Sequence, residues 1–102
     1  MTEWRRRLVE APDPDAPREC GMTPDVGRRR APAMSRLFAH LAAEKNLDDG
    51  IEYTFAGDSP ALWDDVAAYV DEESVCCPFF TFDQRETAAG VVLRVIAPPD
   101  AR

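Results

Sequence analysis

The sequence predicts an α+β domain, a small sheet built in the order helix, strand, helix, strand, strand, with the helices on one face. Three observations carry this expectation. Apolar residues recur at helical spacing in two stretches, they alternate or run together in three shorter ones, and proline and glycine clusters fall between the two kinds. No internal repeat is visible.

In chain order, residues 1–9 can make a short helical turn through Trp4 and Leu8, which Pro12, Pro14 and Pro17 then stop. Residues 1–19 therefore read as a flexible N-terminal arm. Thr23-Pro24-Asp25 offers a cap, a proline suited to the first helical position and an acid at the positive helix end, so a helix can begin there. Pro32 either kinks that helix or separates a turn from the main segment. From residue 33, Met34, Leu37, Phe38, Leu41 and Ala42 make an apolar stripe, which places helix one at 33–46, with a polar exit from Asn46 to Gly50.

Ile51-Glu52-Tyr53-Thr54-Phe55 alternates and is strand one. Asp58-Ser59-Pro60 caps helix two, whose stripe of Leu62, Trp63, Val66, Ala67, Val70 and Cys77 carries it to about Cys76. Pro78 disfavours the helical conformation at Cys77, which fixes the boundary independently of the stripe. Residues 79–85 read as a second strand, with Phe80 and Phe82 on one face, and 91–97 as a third, joined through 87–90 as a hairpin. A right-handed crossover through helix two would make strands one and two parallel and strand three antiparallel. The domain then spans 20–98, and 99–102 form a polar tail.

A chain of 102 residues has room for one domain, which excludes a multi-domain enzyme. Its net charge of −7 disfavours capture by nucleic acid or an anionic membrane. The imbalance is concentrated: residues 1–30 hold seven Arg against six acids, whereas 31–102 hold five basic groups against thirteen acids. No apolar run is long enough to span a membrane and no secretory signal is visible, so a cytoplasmic location is expected. Three cysteines, two of them adjacent, are not the staple pattern of a small secreted domain, and reduced thiols are expected.

Cys76-Cys77-Pro78 is the unusual chemical feature, because two soft sulfur donors meet a helix-to-strand break. Thiolates favour soft ions, and their binding displaces protons. The candidate ions are Hg(II), As(III), Cu(I) or Zn(II), with Cys76 and Cys77 as ligands and Cys20 as the third sulfur that packing of helix one on helix two would bring near. Two other readings stand beside this one. In the first, the cysteines are small buried hydrophobes of a structural or protein-interaction domain. In the second, they serve a cysteine-dependent redox protein, although adjacent cysteines are not the Cys-x-x-Cys pattern and no general base accompanies them.

His40 reads as an ordinary surface histidine, and Met34 as core. Asp64, Asp65 and the run Asp71-Glu72-Glu73 read as a solvated helix face, although Glu72 and Glu73 would oppose a nearby thiolate. Arg28-Arg29-Arg30 reads as a solvated helix or linker, and no nucleic-acid motif accompanies it. The expected partners are a metal-transfer or regulatory protein and, given the small core, a second copy of the chain.

The pattern Cys20-x-Met22-Thr23, with Arg29-Arg30, Gly50-Ile51-Glu52-Tyr53-Thr54-Phe55 and Glu73-x-x-Cys76-Cys77-Pro78-Phe79-Phe80-Thr81-Phe82, resembles small uncharacterised bacterial proteins with a CCPF-type segment. The likeness covers roughly residues 20–98. It implies an association with heavy-metal or arsenic resistance and with regions beside mercury-responsive-type regulators, and it sets Cys20, Cys76 and Cys77 side by side as positions to test. Pro32 and the arm before Cys20 depart from that pattern.

Overall fold

The apolar faces of three strands and one long helix close on each other to bury Phe55, Leu62, Val66, Val70, Phe82, Val91 and Leu93, with Leu37 of a second helix at the edge. The computed structural model describes residues 4–19 and 23–101. Its elements are β1 (Arg6–Val9), α1 (Pro24–Phe38), β2 (Leu41–Leu47), β3 (Gly50–Ala56), α2 (Pro60–Cys76), β4 (Thr81–Thr87) and β5 (Gly90–Ile96), followed by a 3-10 turn at Pro99–Ala101. The class is α+β, as expected. The sheet has five strands in the order β1-β4-β5-β3-β2, and every neighbouring pair is antiparallel. β3 and β4 point the same way, as the crossover argument required, but β5 lies between them.

α2 follows the sequence closely. Ser59 caps it by accepting from the Ala61 N–H, Pro60 sits at the helix start, and Leu62, Val66 and Val70 form the buried stripe. The β4–β5 hairpin closes through Ala88 and Ala89, with Gly90 opposite Thr87. A Cβ on Gly90 would stand 2.0 Å from the Phe55 carbonyl oxygen, so the close approach of β5 to β3 requires glycine there.

Three parts differ from expectation. α1 starts at the Thr23 cap, whose hydroxyl accepts from the Val26 N–H, and it runs through Pro32 as one helix. It ends at Phe38, so residues 41–46, expected as the end of helix one, belong instead to the strand Leu41–Leu47. Ala42-Ala43-Glu44-Lys45 has good intrinsic helix propensity, but the two-residue turn at Asp48-Asp49 folds it back along β3, and the ladder outweighs propensity. β2 is an edge strand with residues 42–46 exposed, so it shows no alternation to read. The second expected strand begins later, at Thr81, leaving Phe79 and Phe80 in the turn before it.

The third difference lies in the arm, where Arg6–Val9 is a strand on the free edge of β4 and not a helical turn. Its alternation is hidden by arginines that each find a carboxylate on their own side of the sheet. Arg7 pairs with Asp71 of α2, while Arg6 meets Asp83 on the face away from the helices.

That outer face is organised around Asp83, a buried carboxylate held by Arg6 at 3.1 and 3.2 Å and by Arg85 at 3.1 Å. Burial pushes its carboxyl up, but hydrogen bonds from Arg6 and Arg85 outweigh that and hold it below the ordinary aspartate range. A carboxyl depressed in the folded state stabilises the fold above the unfolded value, near pH 4, and loses that contribution as pH falls through the folded one. Asp83→Asn is therefore expected to cost about 1–2 kcal/mol at pH 7 through its weakened arginine contacts. It should also flatten the loss of stability below about pH 4. Urea unfolding at pH 7 and pH 3 checks this, and parallel pH profiles for the two proteins would contradict it.

Candidate thiol site

The last turn of α2 brings Glu72, Glu73 and Cys76 onto one helical face, because residues three and four apart are neighbours there. α1 packs against that turn. Arg30 lies on the inward face of α1, seven residues before Leu37, and these two are the buried residues of that helix. Its guanidinium enters the last turn of α2 with Nε 2.7 Å from Glu72 Oε2, Nη2 2.9 Å from Glu73 Oε1 and Nη1 3.9 Å from Cys76 Sγ. The Glu73 contact is an ion pair without hydrogen-bond alignment. Burial works against the Arg30 charge, and Glu73 and Glu72 more than restore it, raising its pKa. The carboxylates expected to repel a thiolate are thus paired, and half of their charge is offset, by a residue expected to be solvated.

Cys76 is half-buried and carries a free thiol. It lines an open cleft of about 450 Å³ between α1 and α2, together with Val26, Arg29, Arg30, Val75 and the acidic pair Asp71 and Glu72. Val75 is 81% exposed at its lip.

Cys77 is placed differently. As the residue after α2 it has φ −129° and ψ 72°, outside the helical region, as the following proline dictates. Its N–H still donates to the Glu73 carbonyl at 2.7 Å, and its carbonyl accepts from Phe80 N–H at 3.1 Å. Its side chain is 1% exposed and sits with Ala16 and Phe79 in a small cluster separate from the main core. Cys77 is disulfide-bonded, so the expectation of reduced thiols holds for Cys76 and not for Cys77. The two adjacent sulfurs therefore serve different surroundings. Cys20 and Met22 lie outside the described residues.

Residues 10–18 pass over the Cys77 cluster. Ala11 N–H donates to Thr81 Oγ1 at 3.1 Å, Asp13 N–H donates to the Pro78 carbonyl at 3.0 Å, and Ala16 is buried against Cys77 and Phe79. The chain expected to be a free extension thus covers one half of the cysteine pair. Proline spacing hid this, because hydrogen bonds to a turn and to a side chain leave no periodic signature.

The other side chains weighed in the sequence are unremarkable. His40, Asp64 and Asp65 are exposed, Asp71 pairs with Arg7, and Met34 is half-buried. Among the described residues no group of three or more His, Cys, Asp or Glu side chains is gathered to hold a metal ion. Among them, too, no helix is long and apolar enough to cross a membrane. Comparison with protein-family models, curated proteins and solved structures finds no match. The residues and their geometry carry the functional argument alone.

Arg30 is the part of this site that sequence reasoning missed. Its signal was the pairing of a basic run on one helix with an acidic run on the next. Arg30→Met keeps much of the side-chain volume but leaves Glu73 and Glu72 uncompensated. It is expected to cost about 2–4 kcal/mol at pH 7, discounted from a fully buried pair because Glu72 is half-exposed. Denaturant unfolding of Arg30→Met, compared with Arg30→Met made in a Glu72→Gln/Glu73→Gln background, tests this, and an equal loss in both backgrounds would show that lost packing, not charge, is responsible.

Proposed function

We propose that the protein is a thiol-based binding protein for a thiophilic metal or metalloid, an ion of the Hg(II), As(III), Cu(I) or Zn(II) kind. Cys76 and Cys77 are its ligands, with Cys20 as the further sulfur, and its role is buffering, sensing or transfer. One observation carries the reading. Cys76 stands half-exposed in an open cleft, one residue from a second sulfur, at a helix end that proline keeps out of regular structure.

The chemistry has two stages. First, a dithiol reductant attacks the disulfide of Cys77. Two electrons pass to the protein sulfurs, each of which ends as a thiol, and the reductant leaves as its own disulfide. Cys76 and Cys77 then lose their protons to solvent as the soft ion takes both sulfurs, and passage to another protein needs only exchange of one thiolate for another. No bond of an organic substrate is made or broken. Because the dithiol form binds, the reading requires a reducing compartment such as the cytoplasm. Arg30 supports it by offsetting part of the charge of Glu72 and Glu73 beside Cys76.

The disulfide at Cys77 next to a free thiol also favours a second reading, a cysteine-dependent redox protein in which Cys76 and Cys77 exchange with a thiol partner. The two readings diverge in the reduced state. Only the first requires a stoichiometric ion complex there.

The test is anaerobic titration of the reduced protein with mercuric, arsenite, cuprous and zinc ions, followed by native mass and by ultraviolet ligand-to-metal bands. A complex of defined stoichiometry is expected. Cys76→Ser/Cys77→Ser should abolish it with the fold intact, and Cys20→Ser should weaken retention if a third sulfur contributes. Identical binding by the double variant would refute the site. Reversible reduction without any ion complex would leave the redox reading in its place.

A further inference from the structure

We propose that residues 10–18 form a latched cover over Cys77, and that release of the Arg18–Asp100 latch admits a reductant or a soft ion to that sulfur. As to the ion, the proposal rests on the binding reading above. As to access, it stands on the geometry of the cover itself.

The cover is held at two ends and weakly in the middle. At the β4 end, two hydrogen bonds from Ala11 and Asp13 reach Thr81 and Pro78. At the other end a single guanidinium makes nearly every attachment. Arg18 Nη1 donates to the carbonyls of Pro14 at 2.7 Å and Ala16 at 2.9 Å, which fixes the curve of the segment. Its Nε and Nη2 reach Asp100 at 3.1 and 3.2 Å, tying the segment to the 3-10 turn that follows β5. Its Cζ lies 5.1 Å from the centre of the Phe79 ring, the aromatic neighbour of Cys77.

Between these ends Ala16 alone among the described residues of the segment enters the cluster, and an alanine methyl buries little apolar area. Pro12, Pro14 and Pro17 have no N–H to add to any ladder, yet they stiffen the segment so that it swings as a unit. A stretch held by a few exposed or half-buried bonds and one small buried side chain opens locally, at far lower cost than the sheet beneath it. Because Asp100 is exposed, its bond to Arg18 is easily screened or outcompeted, which suits a releasable contact. The cover also explains why neighbouring sulfurs differ in exposure: the cleft of Cys76 opens between the helices, whereas Cys77 lies beneath this segment.

The experiment measures the rate at which Cys77 reacts with iodoacetamide in reduced Cys76→Ser protein, read by peptide mass mapping. It also measures the rate at which dithiothreitol reduces the Cys77 disulfide in the native-cysteine chain. Arg18→Ala should accelerate both by about five-fold or more, the scale of change when one modest attachment is lost. Asp100→Asn should produce a smaller increase, and adding it to Arg18→Ala should change little further, since both act on one latch. Hydrogen exchange of β4 and β5 separates local from global opening. Unchanged sheet protection with faster labelling supports the cover. Unchanged labelling in Arg18→Ala, or labelling that rises only in step with sheet exchange, overturns it. Faster labelling without ion binding would sink the binding reading and leave the cover standing, whereas ion binding with latch-independent labelling would do the reverse.

Discussion

The ring of Pro78 decides where α2 ends and how the two neighbouring cysteines part. By crowding the residue before it, the ring denies Cys77 a helical backbone, ends α2 at Cys76 and sends the chain toward β4. Cys76 remains the last helical residue and shares a face with Glu72 and Glu73. Cys77, one residue on, has left the helix and turns its side chain into the cluster of Ala16 and Phe79. Had the helix continued, the two sulfurs would have differed only by the ordinary rotation between successive helical residues. The break gives one sulfur a cleft and the other a cover.

Charge placement makes the cleft side tenable. An acidic run at the end of a helix meets the negative end of the helix dipole, an unfavourable arrangement if left bare. Arg30 crosses from α1 and takes both carboxylates at once, while its remaining nitrogen points toward Cys76. The guanidinium fork suits this better than an ammonium, since several donors in one plane can serve separate acceptors. The same contact ties α1 to α2, so the shape of the cleft and the partial compensation of its acidic floor have one cause.

Much of the fold was legible in the sequence, for identifiable reasons. Ser59-Pro60, the stripe of Leu62, Val66 and Val70, and Pro78 each bounded α2 by a separate signal, and all three agreed. β3 and β5 carry alternating or continuous apolar residues because they lie inside the sheet. The edge strands were not legible. β2 exposes Ala42 to Asn46, and β1 presents arginines on both faces, so neither strand displays the period that burial imposes. Helical propensity then filled the gap at Ala42–Lys45 and misled. At the site, the cysteines announced themselves by type and by the following proline. Arg30 and the segment at 10–18 did not, because their roles depend on which helix and which strand end they meet in three dimensions.

An outward thiol beside a covered one changes what a vicinal pair can do. On the proposed binding reading, a soft ion arriving at the cleft would meet Cys76 first, and a second bond from Cys77 would require both a reduced sulfur and a swing of its side chain away from Phe79. The backbone is suited to that swing. Cys77 belongs to no strand ladder, and the two backbone hydrogen bonds that hold it lie within its own turn. The cost of bringing the sulfurs together would therefore fall first on the cover and the small cluster, which meets the main core around Val66, Leu93 and Phe55 through Phe80. A reactive cluster distinct from the buried centre of the sheet is what the proposed opening requires, because a local opening need not unfold the strands beneath it.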